Sequence, residues 1–302
     1  METETDSALA KLKLSVIVIS YNMARELPRT LLSLSPTMQT GVTFADYEII
    51  VVDNGSSKLF DEQACKAIAP NIKIIHNDPR GSVSPVSAIN KGLDFAEGNL
   101  VGVFIDGARM SSPGLLSTAL NASTLSPRAV IGTLAFHLGP NVQMESVHKG
   151  YDQNAEDELL KTVPWQTDGY RLFDISVFAG SSATGWFKLP GETNGLFMSR
   201  DMWAELGGYD EEFQTPGGGK VNHDMWRRAC LSEGSEVFLL FGEATFHQFH
   251  GGIATNSKAP LNLEYRAEYK RIRGVDYQRP YVPFSIFGSV KKVHAKSIKL
   301  SK

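Results

Sequence analysis

The chain has 302 residues, of which 42% are hydrophobic and 21% charged, and its net charge is −3. That length can bury a full core, and the composition is that of an ordinary globular protein. The charge gives no electrostatic reason to expect a nucleic-acid partner.

The first residues, METETDSALAK, are acidic and polar. They read as a frayed tail over 1–13 and not as a secretory signal. From 14 to 136, strand-like and helix-like pieces alternate. The strand-like pieces are 14–20, 47–53, 72–76, 100–106 and 129–135; between them lie helix-like pieces at 26–34, 58–68, 85–96 and 113–124. Such alternation predicts an α/β fold with a doubly wound, mostly parallel central sheet and helices on both faces. After Phe136 the regularity breaks, with one short helix expected at 154–162. Periodic signals return as a strand at 195–200, helices at 201–206 and 223–234, and a strand at 236–241. An amphipathic stretch at 261–272 follows, and the chain ends on Lys291, Lys292, Lys296, Lys299 and Lys302 with no acid after Asp276. Cys65 and Cys230 fall in helix-like patterns without CxxC spacing, as core thiols of a reducing compartment do. No apolar stretch is long enough to span a bilayer. The expected location is therefore cytoplasmic, and the terminal lysines offer a peripheral contact to anionic lipid.

Three of the apolar runs end on polar residues. LSVIVIS runs into Ser20, Tyr21 and Asn22, EIIVVD ends at Asp53, and LVGVFID ends at Asp106. Each run is short, rich in Val and Ile and nearly free of charge, as parallel strands buried on both faces are. Ligands of open α/β sheets sit beyond the carboxyl ends of such strands, so both acids fall on the edge where chemistry is expected. The alternative is that Asp53 and Asp106 cap the helices that follow. Asn90 and Gly92 lie on a helix opened by RGSVSP. Asp224 follows the glycine loop PGGGK at a helix start, which suits a general base or, equally, a helix cap. Trp203, Phe213 and Trp226 read as core, whereas Trp165 and Trp186 lie in irregular segments as candidates to stack on a sugar.

Taken in order, SVIVISYN, EIIVVDNGSS, Asn90-x-Gly92, Asp106, and Gly207-Gly208-Tyr209-Asp210 followed by Asp224 resemble the GT-A glycosyltransferases, family 2 above all. The resemblance spans about 14–252. It implies one GT-A domain over 14–253, with a nucleotide-sugar-binding half (14–136), an acceptor-binding half (137–253) and a helical extension with a basic tail (254–302). Ser20, Tyr21, Asn22, Asp53, Arg80, Asn90 and Asp106 would bind the nucleotide sugar, Arg80 by phosphate contact. Asp106 would be the first acid of the DxD element, and Asp224 the catalytic base, with Glu192 and Asp210 as its alternates.

The sequence departs from the family pattern at two positions. Ala108 replaces the second acid of DxD, and His223 replaces the acid that commonly precedes the base. A divalent cation, Mn²⁺ or Mg²⁺, would rest on Asp106 and a histidine of TFHQFHGG. Imidazole suits Mn²⁺ better, and His250, with Gly251 and Gly252 beside it, is favoured over His247. The implied reaction is inverting transfer from a nucleotide-diphosphate sugar to a hydroxyl of a glycan, lipid-linked or other acceptor, in glycan or polysaccharide biosynthesis. The alternative is a degenerate GT-A domain that binds sugar nucleotide or glycan without turnover. Ala108 argues for that reading and Asp224 against it. A nucleotidyltransferase or a dinucleotide oxidoreductase would need a glycine-rich loop after the first strand, which SYNMARELP lacks.

Overall fold

A computed structural model describes residues 13–80, 82–251 and 261–290. The expected N-terminal tail up to residue 12, Gly252 and the terminal lysines lie outside the described residues.

The described strands are β1 (Leu14–Ser20), β2 (Tyr47–Asp53), β3 (Ile72–His76), β4 (Leu100–Phe104), β5 (Arg109–Ser111), β6 (Ala129–Leu138), β7 (Ser176–Phe178), β8 (Leu196–Ser199), β9 (Glu236–His247) and β10 (Phe284–Gly288). The α-helices are α1 (Leu27–Leu34), α2 (Glu62–Ile68), α3 (Val86–Phe95), α4 (Leu115–Ser123), α5 (Gln143–His148), α6 (Gln153–Lys161), α7 (Arg200–Glu205), α8 (Val221–Leu231) and α9 (Leu261–Arg273). All strands join one sheet in the order β10-β9-β6-β8-β4-β1-β2-β3, with β5 paired to β9 and β7 to β6. Along that path only β8 runs antiparallel to its neighbours.

The pleat explains why β1 and β2 carry apolar residues on both faces, with the buried Ser15 and Glu48 hydrogen-bonded to each other. Val16 and Val18 of β1 point to one face, packing with Leu27 and Leu31 of α1, Cys65 of α2 and Leu115 of α4. Ile17 and Ile19 point to the other face, among Ile89 of α3, Trp203 of α7 and Trp226 of α8. With helices on both sides, both faces of these strands favour apolar side chains. Gly92 lets α3 approach, since a Cβ there would stand 2.6 Å from Ile17 Cγ2. Trp203, Phe213 and Trp226 are core residues, and both cysteines are buried free thiols.

A third cluster fills the far end of the sheet. Trp165 and Trp186, candidates for sugar stacking by sequence, are instead buried there with Phe136, Phe173, Phe178 and Phe246. Their indole faces are spent on packing, which removes them from any exposed platform.

The segment read as a helical extension also contributes a strand, β10, which pairs parallel with β9. Its helix braces the glycine loop. Glu268 of α9 accepts from the amides of Gln214 and Thr215, and Tyr265 donates to Pro216 O at 3.2 Å. Gly217, Gly218 and Gly219 all have positive φ, so this turn needs glycine.

Candidate functional site

The register places the polar ends together. Ser20 pairs with Asp53 across β1 and β2, while Val18 pairs with Phe104 across β1 and β4. Asp106, two residues past Phe104, therefore comes level with Ser20. Neither aspartate caps a helix: Asp61 caps α2, and α4 begins after Gly114.

Asp53 is buried, and its carboxylate closes its own turn by accepting from Ser56 Oγ at 2.5 Å and Ser56 N at 3.2 Å. Asn22 has φ of +55°, a conformation asparagine tolerates. Its amide oxygen accepts from Lys58 N at 2.8 Å, and its own N–H donates to Ser56 Oγ at 2.8 Å. These bonds zip the loops after β1 and β2 into one rim. Ser20 Oγ is buried there without a hydrogen-bond partner, and Tyr21 is half exposed beside it. Arg80 lies exposed with φ of +49°. The amide of Asn90 is spent on the backbone of Tyr209, donating to its carbonyl at 2.8 Å and accepting from its N–H at 2.9 Å. That pair stitches α3 to the Gly207–Gly208 turn.

Asp106 belongs to a tighter group. His247 Nε2 lies 2.8 Å from Asp106 Oδ2, His250 Nε2 lies 3.4 Å from the same oxygen, and the two Nε2 atoms are 3.2 Å apart. His247 ends β9, and its Nδ1 donates to Gln143 Oε1 of α5 at 2.6 Å. In a neutral ring this leaves the Nε2 lone pair facing Asp106. Burial presses the His247 pKa down to about 4. Despite their burial, Asp106 is held well below the usual carboxylate range by the two histidines, and His250 is raised by Asp106. With the lone pair on Nε2, the carboxylate and the imidazole could share a cation. Three donors at these spacings fit adjacent ligands of one ion, which for bonds near 2.1 Å stand roughly 3 Å apart. The N₂O donor set matches Mn²⁺ better than Mg²⁺. His250, the histidine favoured by sequence, is thus joined by His247. Ala108 is fully buried in the apolar core, so its position points away from this group.

Arg109 stands next to the same carboxylate, its Nη2 3.7 Å from Asp106 Oδ2. Burial lowers its pKa, and its Nε and Nη1 are buried without hydrogen-bond partners. Nothing in the sequence drew attention to it beyond its place after Ala108.

Two acids of the second half have different surroundings. Asp224 is buried, and both its oxygens are occupied: Arg273 Nε donates at 2.6 Å, Arg273 Nη2 at 2.7 Å and Arg228 Nε at 2.8 Å. Arg273 also pairs with Asp210 at 2.7 Å. A cleft of about 420 Å³ opens beside these ion pairs, lined by Asn90, Gly208, Asp210, Arg228 and Arg273 among others. Glu192 precedes the antiparallel strand β8. With Leu196 opposite Val103, the register continues to put Glu192 level with residue 107, at the edge that carries Asp106. Thr193 fixes this approach, donating to Thr133 O and accepting from Thr133 N. Glu192 Oε2 accepts from Asn222 Nδ2 at 2.9 Å and lies 3.3 Å from His223 Nδ1. Although only partly exposed, its carboxyl is held below the usual range by His223, Asn222 and Arg109.

The sequence model of the family described as glycosyl transferase family 2 matches residues 15–180, more than half of the chain. The chain belongs to that family. No curated protein matches it. Among solved structures it is similar to the crystal structure of S. aureus TarS 1-349, with a TM-score of 0.53 and 17% identity over 89% of this chain and 67% of that one. A longer TarS structure matches with a TM-score of 0.54 and 16% identity, again over 89% of this chain but only 41% of the other. At that identity the likeness concerns the fold, which is the GT-A arrangement expected from the motifs. Family membership supplies glycosyl transfer in general. Among the described residues no helix is long and apolar enough to cross a membrane.

Proposed function

We propose that the chain moves a sugar from a nucleotide-diphosphate donor to a hydroxyl of a glycan or lipid-linked acceptor, with inversion. The observation that carries this reading is the convergence of Asp106, His247 and His250 just beyond the C-terminal edge of the strands. The rim formed by Ser20, Tyr21, Asn22 and Asp53 stands level with it across the sheet and suits the nucleoside. A divalent cation held by Asp106, His247 and His250 would act as a Lewis acid on the donor's diphosphate.

For the proton of the acceptor hydroxyl, the sequence expectation is Asp224. The geometry favours Glu192 as a second candidate. Asp224 already accepts from two guanidinium groups, whereas Glu192 is ionised, partly open and on the edge that carries Asp106. A carboxylate in that position can take a proton as the acceptor oxygen attacks in line, and a single in-line step inverts the anomeric carbon.

The test is release of nucleoside diphosphate from a panel of sugar nucleotides, with and without Mn²⁺, and NMR assignment of the product anomer. Turnover with inversion is expected. Tight binding of a sugar nucleotide without release or transfer would instead favour the degenerate, non-catalytic reading. A product of retained configuration would remove the single-displacement step.

A further inference from the structure

We infer that Arg109 grips the diphosphate of the donor and neutralises the charge that builds on it as the sugar leaves. This rests on the glycosyl-transfer reading and adds to it a residue that the family motifs do not supply.

Arg109 carries an uncompensated desolvation. A guanidinium taken out of water is costly unless its N–H groups find acceptors. Arg109 has a side chain only 11% exposed, and its nearest carboxylate oxygen, on Asp106, is 3.7 Å away, beyond hydrogen-bond reach. Two of its nitrogens are buried without a partner. The fold nonetheless holds the residue in place, since Arg109 pairs with His247 in the β5–β9 ladder. The cation is therefore built into the wall of the site with donors to spare.

The chemistry names the missing partner. A planar fork of N–H donors is matched by phosphate oxygens, often two at once. In the transfer step the bond from the anomeric carbon to the terminal phosphate oxygen breaks and its electron pair stays on that oxygen. The acceptor oxygen forms the new bond, and its proton passes to the base. Negative charge thus develops on the diphosphate, and a fixed cation in a water-poor site is the kind of group that stabilises it. Ala108 gives this weight. With the second acid replaced by Ala108, Asp106 is the one carboxylate of the group, and it faces Arg109 and two histidines, His250 with its pKa raised. This side of the site is therefore rich in cationic groups and suits an anionic diphosphate.

The experiment measures binding, without turnover. Wild type, Arg109→Gln and Arg109→Lys are titrated in excess EDTA with the diphosphates of uridine, guanosine, cytidine, adenosine and thymidine, and then with the nucleoside matching the diphosphate that binds. Arg109→Gln should bind that diphosphate about ten- to a hundredfold more weakly, with nucleoside affinity unchanged. Arg109→Lys, which keeps the charge and loses the fork, should fall between. Equal diphosphate affinity in wild type and a folded Arg109→Gln overturns the inference, as does an equal loss for nucleoside and diphosphate. If the glutamine variant does not fold, the lysine variant decides: selective loss of diphosphate affinity supports the role and unchanged affinity overturns it. If no diphosphate binds wild type in EDTA, the same comparison is made with excess Mn²⁺, and failure of all five there as well would instead defeat the glycosyl-transfer reading itself.

Discussion

Gln143 Oε1 accepts from His247 Nδ1 across 2.6 Å, and this bond places the ring proton on Nδ1 and leaves the Nε2 lone pair facing Asp106. Gln143 is fully buried and sits in α5, a helix with no counterpart among the periodic signals of the sequence. Replacing it by Leu keeps the volume and removes the acceptor. Loss of such an orienting partner commonly weakens metal binding about 10–100-fold. Gln143→Leu should therefore bind Mn²⁺ more weakly by that order in calorimetry, with an unchanged circular dichroism spectrum. Wild-type Mn²⁺ affinity would show that the bond does not orient a ligand.

The missing DxD acid is not simply restored by mutation. Ala108 points into the core beside Leu115 and Leu116 of the same cluster, and its backbone N–H is already bonded to Asp106 Oδ1 at 2.9 Å. An aspartate there would bury a charge without a partner, or else become protonated at a similar cost. Ala108→Asp should destabilise the fold by several kcal/mol in urea unfolding, roughly 3 or more, without tightening Mn²⁺ binding. A stable variant with higher Mn²⁺ affinity would mean that the side chain at 108 reaches the ion.

Asp53 carries two duties. It is proposed to meet the nucleoside, and it also closes the 53–56 turn through Ser56. Removing it should cost about 1.5–3 kcal/mol of nucleotide binding if the contact is to the charged carboxylate. It should also lower stability by about 1 kcal/mol through the lost turn bonds. Asp53→Ala is checked by nucleotide titration beside chemical denaturation. A variant that loses stability but binds every nucleotide as wild type does would leave Asp53 with the turn alone.

Much of the first half was legible because one physical signal dominates it. Strands buried on both faces are mainly apolar, and β1 and β2 begin and end where the Val- and Ile-rich runs do, as does the edge strand β3. The second half obeys the same physics, but long-range partners hide it. β9 reads as a strand ending at Phe241 because Gly242 and Glu243 interrupt the apolar run. In the fold Gly242 takes a φ of +83°, and Glu243 is satisfied inside the core by Ser112 and the N–H of Gly114, so the strand continues to His247. The three-residue strands β5 and β7 are too short to show a period. Arg273 reaches Asp224 from 49 positions away, a partnership that neither periodicity nor local spacing contains. The candidate site divides in the same way. Asp53 and Asp106 stand at readable strand ends, whereas Arg109, Gln143 and Glu192 acquire meaning only through register and topology.

The sharpest test separates the two acids proposed for the acceptor proton. Asp224→Asn keeps the shape of the side chain but leaves Arg228 and Arg273 facing a neutral amide. Breaking a buried pair from one side is destabilising, by about 3 kcal/mol here at the low end of the usual range because both arginines are partly exposed. Glu192→Gln removes a group that can accept a proton, and it retains an oxygen for Asn222. Losing a general base typically lowers the rate about 10²–10⁴-fold. If Glu192 is the base, Glu192→Gln should lose transfer by that order with its melting temperature and sugar-nucleotide affinity nearly unchanged. Asp224→Asn should then lower the melting temperature and retain most of its rate per folded molecule. The converse pattern, a stable Asp224→Asn that binds donor but transfers at a hundredth of the wild-type rate beside an active Glu192→Gln, would return the role to Asp224. Rates are compared in single-turnover experiments, so that product release does not mask the chemical step.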